Sequence, residues 1–226
     1  MITEQQANEF RRAGLTLDRA ARIFLSHRNA RILLPATAAA VLTRVALGRW
    51  SRRDLTAAAW IVGVEPFVEW MIHVHLLHQR PRRIRGRTVE LFSARGHREH
   101  HRNPRDPAMV FIPGPLLAAA VATLVAANAA TARSLRPAAT GVAVSMLSLS
   151  LYEWTHFLIH SAYRPRTGLF RLLRRTHQLH HYRNENYWFG IITPISDHVF
   201  NTYPPKEEVP PSPTVKTLGV EEPAAS

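Results

Sequence analysis

Residues 153–181 read EWTHFLIHSAYRPRTGLFRLLRRTHQLHH. An apolar run closes here in His156 and His160, four residues apart and so on one face of a helix. A basic segment follows, and it carries His177, His180 and His181. The same order appears upstream. A run at 55–79 closes in His73 and His78, and His97, His100 and His101 lie in the basic segment beyond it. A weak echo links the two halves: Glu69-Trp70 and Glu153-Trp154 each stand just before the first histidine of their helix.

Working outward, four stretches are dominated by Ala, Val, Leu, Ile and aromatics: 32–48, 55–79, 108–132 and 138–160. Each is about long enough to cross a hydrocarbon layer of ~30 Å. They pair as two hairpins, joined by Arg49–Asp54 and around Ser134–Pro137. Pro66 should kink or end the second helix, and Pro113 and Pro115 set the start of the third near Leu116. The predicted fold is all-α: an integral membrane protein with about four transmembrane helices in two hairpins.

The net charge of +13 points to nucleic acid or to an anionic membrane surface. The apolar runs favour the membrane, since a basic nucleic-acid-binding domain has no need of them. Arg and Lys concentrate in the N-terminal segment, in 80–107 and in 161–226, which places both termini and the 80–107 segment in the cytoplasm. The expected location is the plasma or inner membrane, with the site on its cytoplasmic face. Three domains are expected. Residues 1–31 have no signal-peptide pattern and form an amphipathic segment, with its apolar side in lipid or as a solvated arm. Residues 32–202 form the membrane catalytic domain. Residues 203–226, rich in proline, form a disordered tail.

Ten of the thirteen histidines fall into the four clusters, leaving His27, His75 and His198 outside. A lone histidine on an apolar helix is more often a hydrogen-bonded core residue than a ligand. Ten packed imidazoles would repel one another if protonated, and bound metal removes that conflict. In each HxxHH group all three rings are expected to aim at one point. His73 and His78, about 140° apart on an ideal helix, fit one site less easily, unless the helix is distorted or they serve two different metals; His75, three residues before His78, is a reserve ligand. So many imidazoles exceed the needs of one ion, so two are implied. There is no cysteine, which excludes thiolate and iron–sulfur sites, and imidazole suits iron, copper or zinc. No H-E-x-x-H occurs, as a zinc hydrolase would carry, and two irons held by histidine can activate dioxygen.

At these residues the chain resembles the fatty acid hydroxylase/sterol desaturase superfamily, closest to its fatty acid 2-hydroxylase branch. The boxes H-x4-H, H-x2-H-H, H-x3-H and H-x2-H-H appear in order at His73/His78, His97/His100/His101, His156/His160 and His177/His180/His181. The flanks agree: His101-x2-Pro104-x-Asp106, and His181-Tyr182 followed by Asn186-Tyr187, Gly190, Thr193, Asp197 and Phe200-Asn201-Thr202. One departure is Asn201, where a glycine is usual before the threonine.

The resemblance implies a cytosolic helical cap that carries a histidine-ligated dimetal site. It implies O2-dependent hydroxylation of a lipid acyl chain, with two iron ions as cofactor (zinc after overexpression) and O2 as co-substrate. Electrons come from a separate protein, ferredoxin- or cytochrome-b5-like with its reductase. The expected partners are the lipid substrate and the membrane, not nucleic acid. Glu69, Glu153 and Asp197 are candidates to accept imidazole N–H bonds. Tyr152, Trp154, Tyr187 and Trp188 either wall the site or, by preference, form an interfacial belt; Arg164, Arg166, Arg171, Arg174 and Arg175 either bind lipid phosphates or a carboxylate or, by default, are drawn non-specifically to anionic lipid. The alternatives are a carotenoid or sterol hydroxylase or desaturase of the same chemistry, and a membrane metal-binding or transport protein. Transport would string ligands through mid-membrane.

Overall fold

The computed structural model describes residues 2–220 and is mostly helical. The helices are α1 (Glu4–Arg11), α2 (Leu17–Ser26), α3 (Arg28–Ala46), α4 (Arg52–Ile72), α5 (Phe92–Arg102), α6 (Pro107–Val110), α7 (Gly114–Thr131), α8 (Leu135–His160), α9 (Gly168–Tyr182) and α10 (Ile195–Val199). One antiparallel hairpin, β1 (Arg82–Ile84) with β2 (Arg87–Val89), pairs Ile84 with Arg87.

Three helical stretches are long and apolar enough to cross a membrane: Arg52–Leu77, Pro107–Thr131 and Leu135–His160. The first of the four expected runs is not among them. In α3, Arg31 and Arg44 leave only residues 32–43 between them free of charge. Yet α3 runs antiparallel beside α8 from end to end. Asn29 meets Glu153 at one end, Thr37 meets Ser150 midway (2.9 Å), and Arg44 meets Thr140 at the other end (2.6 Å). Arg44 is tolerated because it is paired. Its guanidinium donates to Asp54 at 2.8 Å, Asp54 also accepts from Thr140, and the cation lies 3.7 Å over the Trp50 ring. α4 runs through Pro66 without ending, with Leu55, Trp60, Val62, Val68 and Met71 exposed along its length.

The N-terminal segment differs from its expected placement. It is two helices, broken near Gly14 at φ +83, and its apolar side rests on protein rather than lipid. Phe10 and Phe24 pack on Phe157 at ring separations of 5.0 and 5.4 Å, and Ile23 joins the same core. The amphipathic pattern is real, but the surface it covers is α8 and Phe111.

Residues 203–220 also differ from expectation: they are not a loose tail. Val209 and Leu218 are buried, and backbone bonds tie the segment down. The Ser212 amide donates to the Arg183 carbonyl at 2.7 Å, while Arg183 and Arg80 donate to the carbonyls of Val209 and Leu218. Its prolines bring no amide donors, so the segment relies largely on its carbonyls, with the Ser212 amide as a further tie. The last part of the expected tail, 221–226, lies outside the described residues.

Candidate metal centre

The centre forms where α4 and α8 end and α5 and α9 fold against them. At the end of α4 the backbone widens into a π-helical turn, His73–Leu77, and the His78 amide donates to the His73 carbonyl. A π turn closes i→i+5 bonds, so residues five apart stack on one face. That is the distortion which His73 and His78 required. The ordinary α turn at the end of α8 does the same for His156 and His160. His75 points away, exposed, with its ring against Trp70 in a T-shaped contact.

Ten ring nitrogens gather in two groups, and within each they lie within 4.8 Å of one another. The first group is His73, His78, His97, His101 and His180; the second is His100, His156, His160, His177 and His181. The HxxHH triplets therefore do not aim at one point. From α5, His97 and His101 serve the first group and His100 the second. From α9, His177 and His181 serve the second and His180 the first. Helix geometry requires this: residues i and i+4 diverge by about 40°, whereas neighbours such as His100 and His101 diverge by about 100°.

The hydrogen bonding tests whether these residues fit a metal. Nδ1 of His73, His101, His156 and His180 faces the carbonyls of Phe189, Val215, Val110 and Tyr187 at 2.8–3.0 Å. A carbonyl only accepts, so each Nδ1 carries the proton and each neutral ring presents a bare lone pair at Nε2. The Nε2 atoms of His101 and His180 nevertheless stand 3.2 Å apart. Two lone pairs at that distance repel unless a cation lies between them. A proton is a poor candidate, because burial and then the neighbouring imidazoles hold both rings well below the ordinary histidine range. A metal ion fits. The second group shows the same convergence: His160 Nε2 is 3.0–3.1 Å from those of His100, His156 and His177.

Glu69, Glu153 and Asp197 act differently from expectation. None accepts from an imidazole; they accept from the backbone that carries the imidazoles' carbonyl partners. Glu69 accepts from the Ile191 amide, two residues beyond Phe189. Glu153 accepts from the Ile112 amide at 3.0 Å, two beyond Val110, and from Asn29. Asp197 takes the Phe189 and Gly190 amides at 3.0 and 2.8 Å and the Thr202 hydroxyl at 2.6 Å. Burial pushes the Asp197 carboxyl up, against these bonds. A Cβ at Gly190 would strike the Thr193 carbonyl, so the turn needs glycine there. Asn201 holds φ +56, a left-handed conformation that asparagine tolerates in place of glycine.

The remaining histidines have other work. The His27 ring accepts from the Asn29 amide at the start of α3 and stacks on Phe111 at 3.7 Å. His198 stacks on Tyr203. Trp188 is buried and so stands apart from any interfacial belt, while half-buried Trp154 packs edge-on against Phe24. Sequence reasoning missed Phe189, Val110 and Val215, and missed the carbonyl role of Tyr187, since any residue can supply a carbonyl and no side-chain pattern marks it. Asn29 carried no signal either.

The model of the fatty acid hydroxylase family matches residues 58–202, a segment that contains all ten clustered histidines. Fatty acid 2-hydroxylase of Mus musculus is 30% identical over 149 residues, which cover 64% of this chain and 38% of that protein. Dihydroceramide fatty acyl 2-hydroxylase FAH1 of Arabidopsis thaliana is 30% identical over 139 residues, covering 61% of this chain and 56% of that one. The chain thus spans between about a third and somewhat over half of these relatives' length. The structure of full-length scs7p, with only its hydroxylase domain visible, shares the fold: TM-score 0.65 at 23% identity, covering 79% of this chain and 66% of that one. With the four histidine boxes in order inside the matched segment, the chain belongs to the fatty acid hydroxylase family.

Proposed function

We propose that this protein hydroxylates a lipid acyl chain, using O2 at a centre of two iron ions. The observation that carries the reading is the pair of five-imidazole groups whose facing lone pairs call for cations. The ligands of one ion are His73, His78, His97, His101 and His180, and those of the other are His100, His156, His160, His177 and His181. Two irons held there supply the activation of O2, with electrons from a separate ferredoxin- or cytochrome-b5-like donor.

The chain's own residues hold and shield the centre. The carbonyls of Phe189, Val110, Tyr187 and Val215 keep Nδ1 protonated, which fixes each ring's tautomer and leaves Nε2 free. The Phe189 ring packs against His73, His78 and His180 at 5.1–5.4 Å and excludes water from the first group. Residues 203–220 cover His101 and bring the Val215 carbonyl to it.

In the membrane reading, α3, α4, α7 and α8 all cross, α3 by virtue of its full-length contact with α8. The segments past the ends of α4 and α8 then form the cap on the cytoplasmic side. Residues 32–202 are the catalytic domain. The ligands gather at one end of the long helices, which argues against a transport path strung through mid-membrane.

The test uses protein purified in mild detergent and loaded anaerobically with Fe(II). It is given a reduced ferredoxin, a lipid bearing a saturated acyl chain, and 18O2. One 18O atom per hydroxylated chain is expected. Two irons per chain without labelled product from any acyl lipid would overturn the reading.

A further inference from the structure

A cavity of about 640 Å³ opens beside the second histidine group, between the end of α1, the 105 turn, the end of α8 and α9. His160 and Ile159 form part of its wall. Six cations line it: Arg11, Arg105, Arg164, Arg174, Arg175 and Lys206. Among the described residues no Asp or Glu lines it; the only carboxylate within 4.0 Å of any of the six is Asp106, 3.9 Å from Arg11.

Three of the cations are held by backbone carbonyls. Arg11 Nε donates to the Arg105 carbonyl at 3.0 Å, and an Arg105 Nη donates back to the Arg11 carbonyl at 2.9 Å. Arg174 is half-buried and donates to the Tyr163 carbonyl. Burial, then Arg105 and Arg164, hold the Arg174 guanidinium below its ordinary pKa, a sign of crowding by like charge. Six positive charges brought into one concave space repel each other, and a polyanion seated among them removes that repulsion.

We propose that this cavity is a phosphate-binding site, which holds the phosphate-bearing head of an acyl substrate against the second histidine group. Guanidinium forks match phosphate oxygens with paired hydrogen bonds. The volume suits a head group or a diphosphate rather than a protein surface, which would need a broad flat face. A head group seated here lies next to His160, so the atoms that follow it are the first to reach the centre. Two sources carry such a head, a membrane phospholipid and a soluble acyl thioester with a diphosphate; the chemistry of recognition is shared.

The substrate identity rests on the hydroxylase reading, but binding at the cavity needs neither metal nor turnover. The probe is therefore inorganic pyrophosphate, titrated calorimetrically into the purified full-length chain in phosphatidylcholine nanodiscs. Saturable binding at one site per chain is expected. Arg164→Glu with Arg175→Glu should weaken it by about tenfold or more, whereas Arg53→Glu with Arg133→Glu, the same charge change in the opposite hairpin turns, should leave it unchanged. Absence of saturable binding to the wild type, or equal weakening by both pairs, overturns the proposal. Two competitions identify the source. Phosphatidylglycerol nanodiscs abolish pyrophosphate binding if the head is a lipid's, and palmitoyl-coenzyme A displaces it from phosphatidylcholine nanodiscs if the carrier is soluble. If neither competes, the cavity holds an adventitious ion only and the substrate proposal fails.

Discussion

Glu69 on α4 and His73, one turn on at the start of the π turn, grip the same loop at two points: the carboxylate takes the Ile191 amide and the ring donates to the Phe189 carbonyl. Glu153 and His156 on α8 repeat the device on Ile112 and Val110. The carboxylates therefore orient the rings indirectly, by fixing the backbone to which the rings donate. Glu153→Ala leaves the Ile112 amide without its acceptor and takes one of the two acceptors of the Asn29 amide, at a cost of about 1–3 kcal/mol. We expect lower iron content and a lower unfolding midpoint, while Glu153→Gln, which keeps an accepting oxygen, recovers most of both. Equal iron content in Glu153→Ala and the wild type would count against the positioning role.

The split of the HxxHH boxes makes a quantitative claim about metal counts. His97→Ala and His100→Ala, three residues apart on α5, should each lower iron from two to about one per chain, but in different groups. The double variant with His180→Ala should then separate them. His97→Ala/His180→Ala damages one group twice and keeps about one iron, whereas His100→Ala/His180→Ala damages both and falls towards none. Elemental analysis after anaerobic reconstitution decides the matter. His75→Ala and His27→Ala should retain two irons, since neither ring enters a group.

Acidification should destabilise the metal-free protein. His97, His100, His101, His177, His180 and His181 all have folded pKa values held well below the ordinary 6.5 by burial. As pH falls through 6.5 the unfolded chain takes up protons that the folded chain refuses, so stability present above that pH is lost below it. The unfolding midpoint of the metal-free protein should be flat from pH 8 to about 7 and fall towards pH 5. A midpoint that rises or stays level over that lower range would mean that these rings are not neutral in the fold.

The π turn predicts an asymmetry between deletion and insertion. Deleting Leu76 leaves the two rings of the first box four apart, the spacing that His156 and His160 use in an ordinary α turn, so the variant should keep two irons. Inserting one Ala after Leu76 places them six apart and should cost the first group its ion. Iron content of the two variants checks this directly.

Arg44 and Asp54 form a buried pair in which each needs the other. Arg44→Ala leaves the buried Asp54 carboxylate without its counter-charge, with only the Ser51 and Thr140 bonds remaining, and should cost about 3–5 kcal/mol. Arg44→Met with Asp54→Leu should recover most of the loss, as read by thermal unfolding in detergent.

Much of this was legible beforehand because it depends on side-chain type and spacing. Ten histidines in four boxes, and runs such as 55–79 and 138–160, announce themselves. The partition of His100 from His101 was also within reach, had the rotation between adjacent helical residues been applied within each box rather than across it. What was not legible depends on backbone or on partner choice. The Val215 carbonyl has no signature, and the prolines around it read as disorder. Phe10, Ile23 and Phe24 declare an apolar face, but nothing in their spacing says whether Phe157 or a lipid will cover it. Nor does an acidic residue near a histidine reveal whether its partner is the ring or, as with Glu69 and Ile191, an amide.

Because α5 and α9 each feed both histidine groups, the two helices act as a pair of tie-rods between them. The gap between the centres is then gauged by helical rise, a length that thermal motion of loops scarcely alters. Substitutions in the flanking loops can retune what approaches the centres and leave their separation untouched.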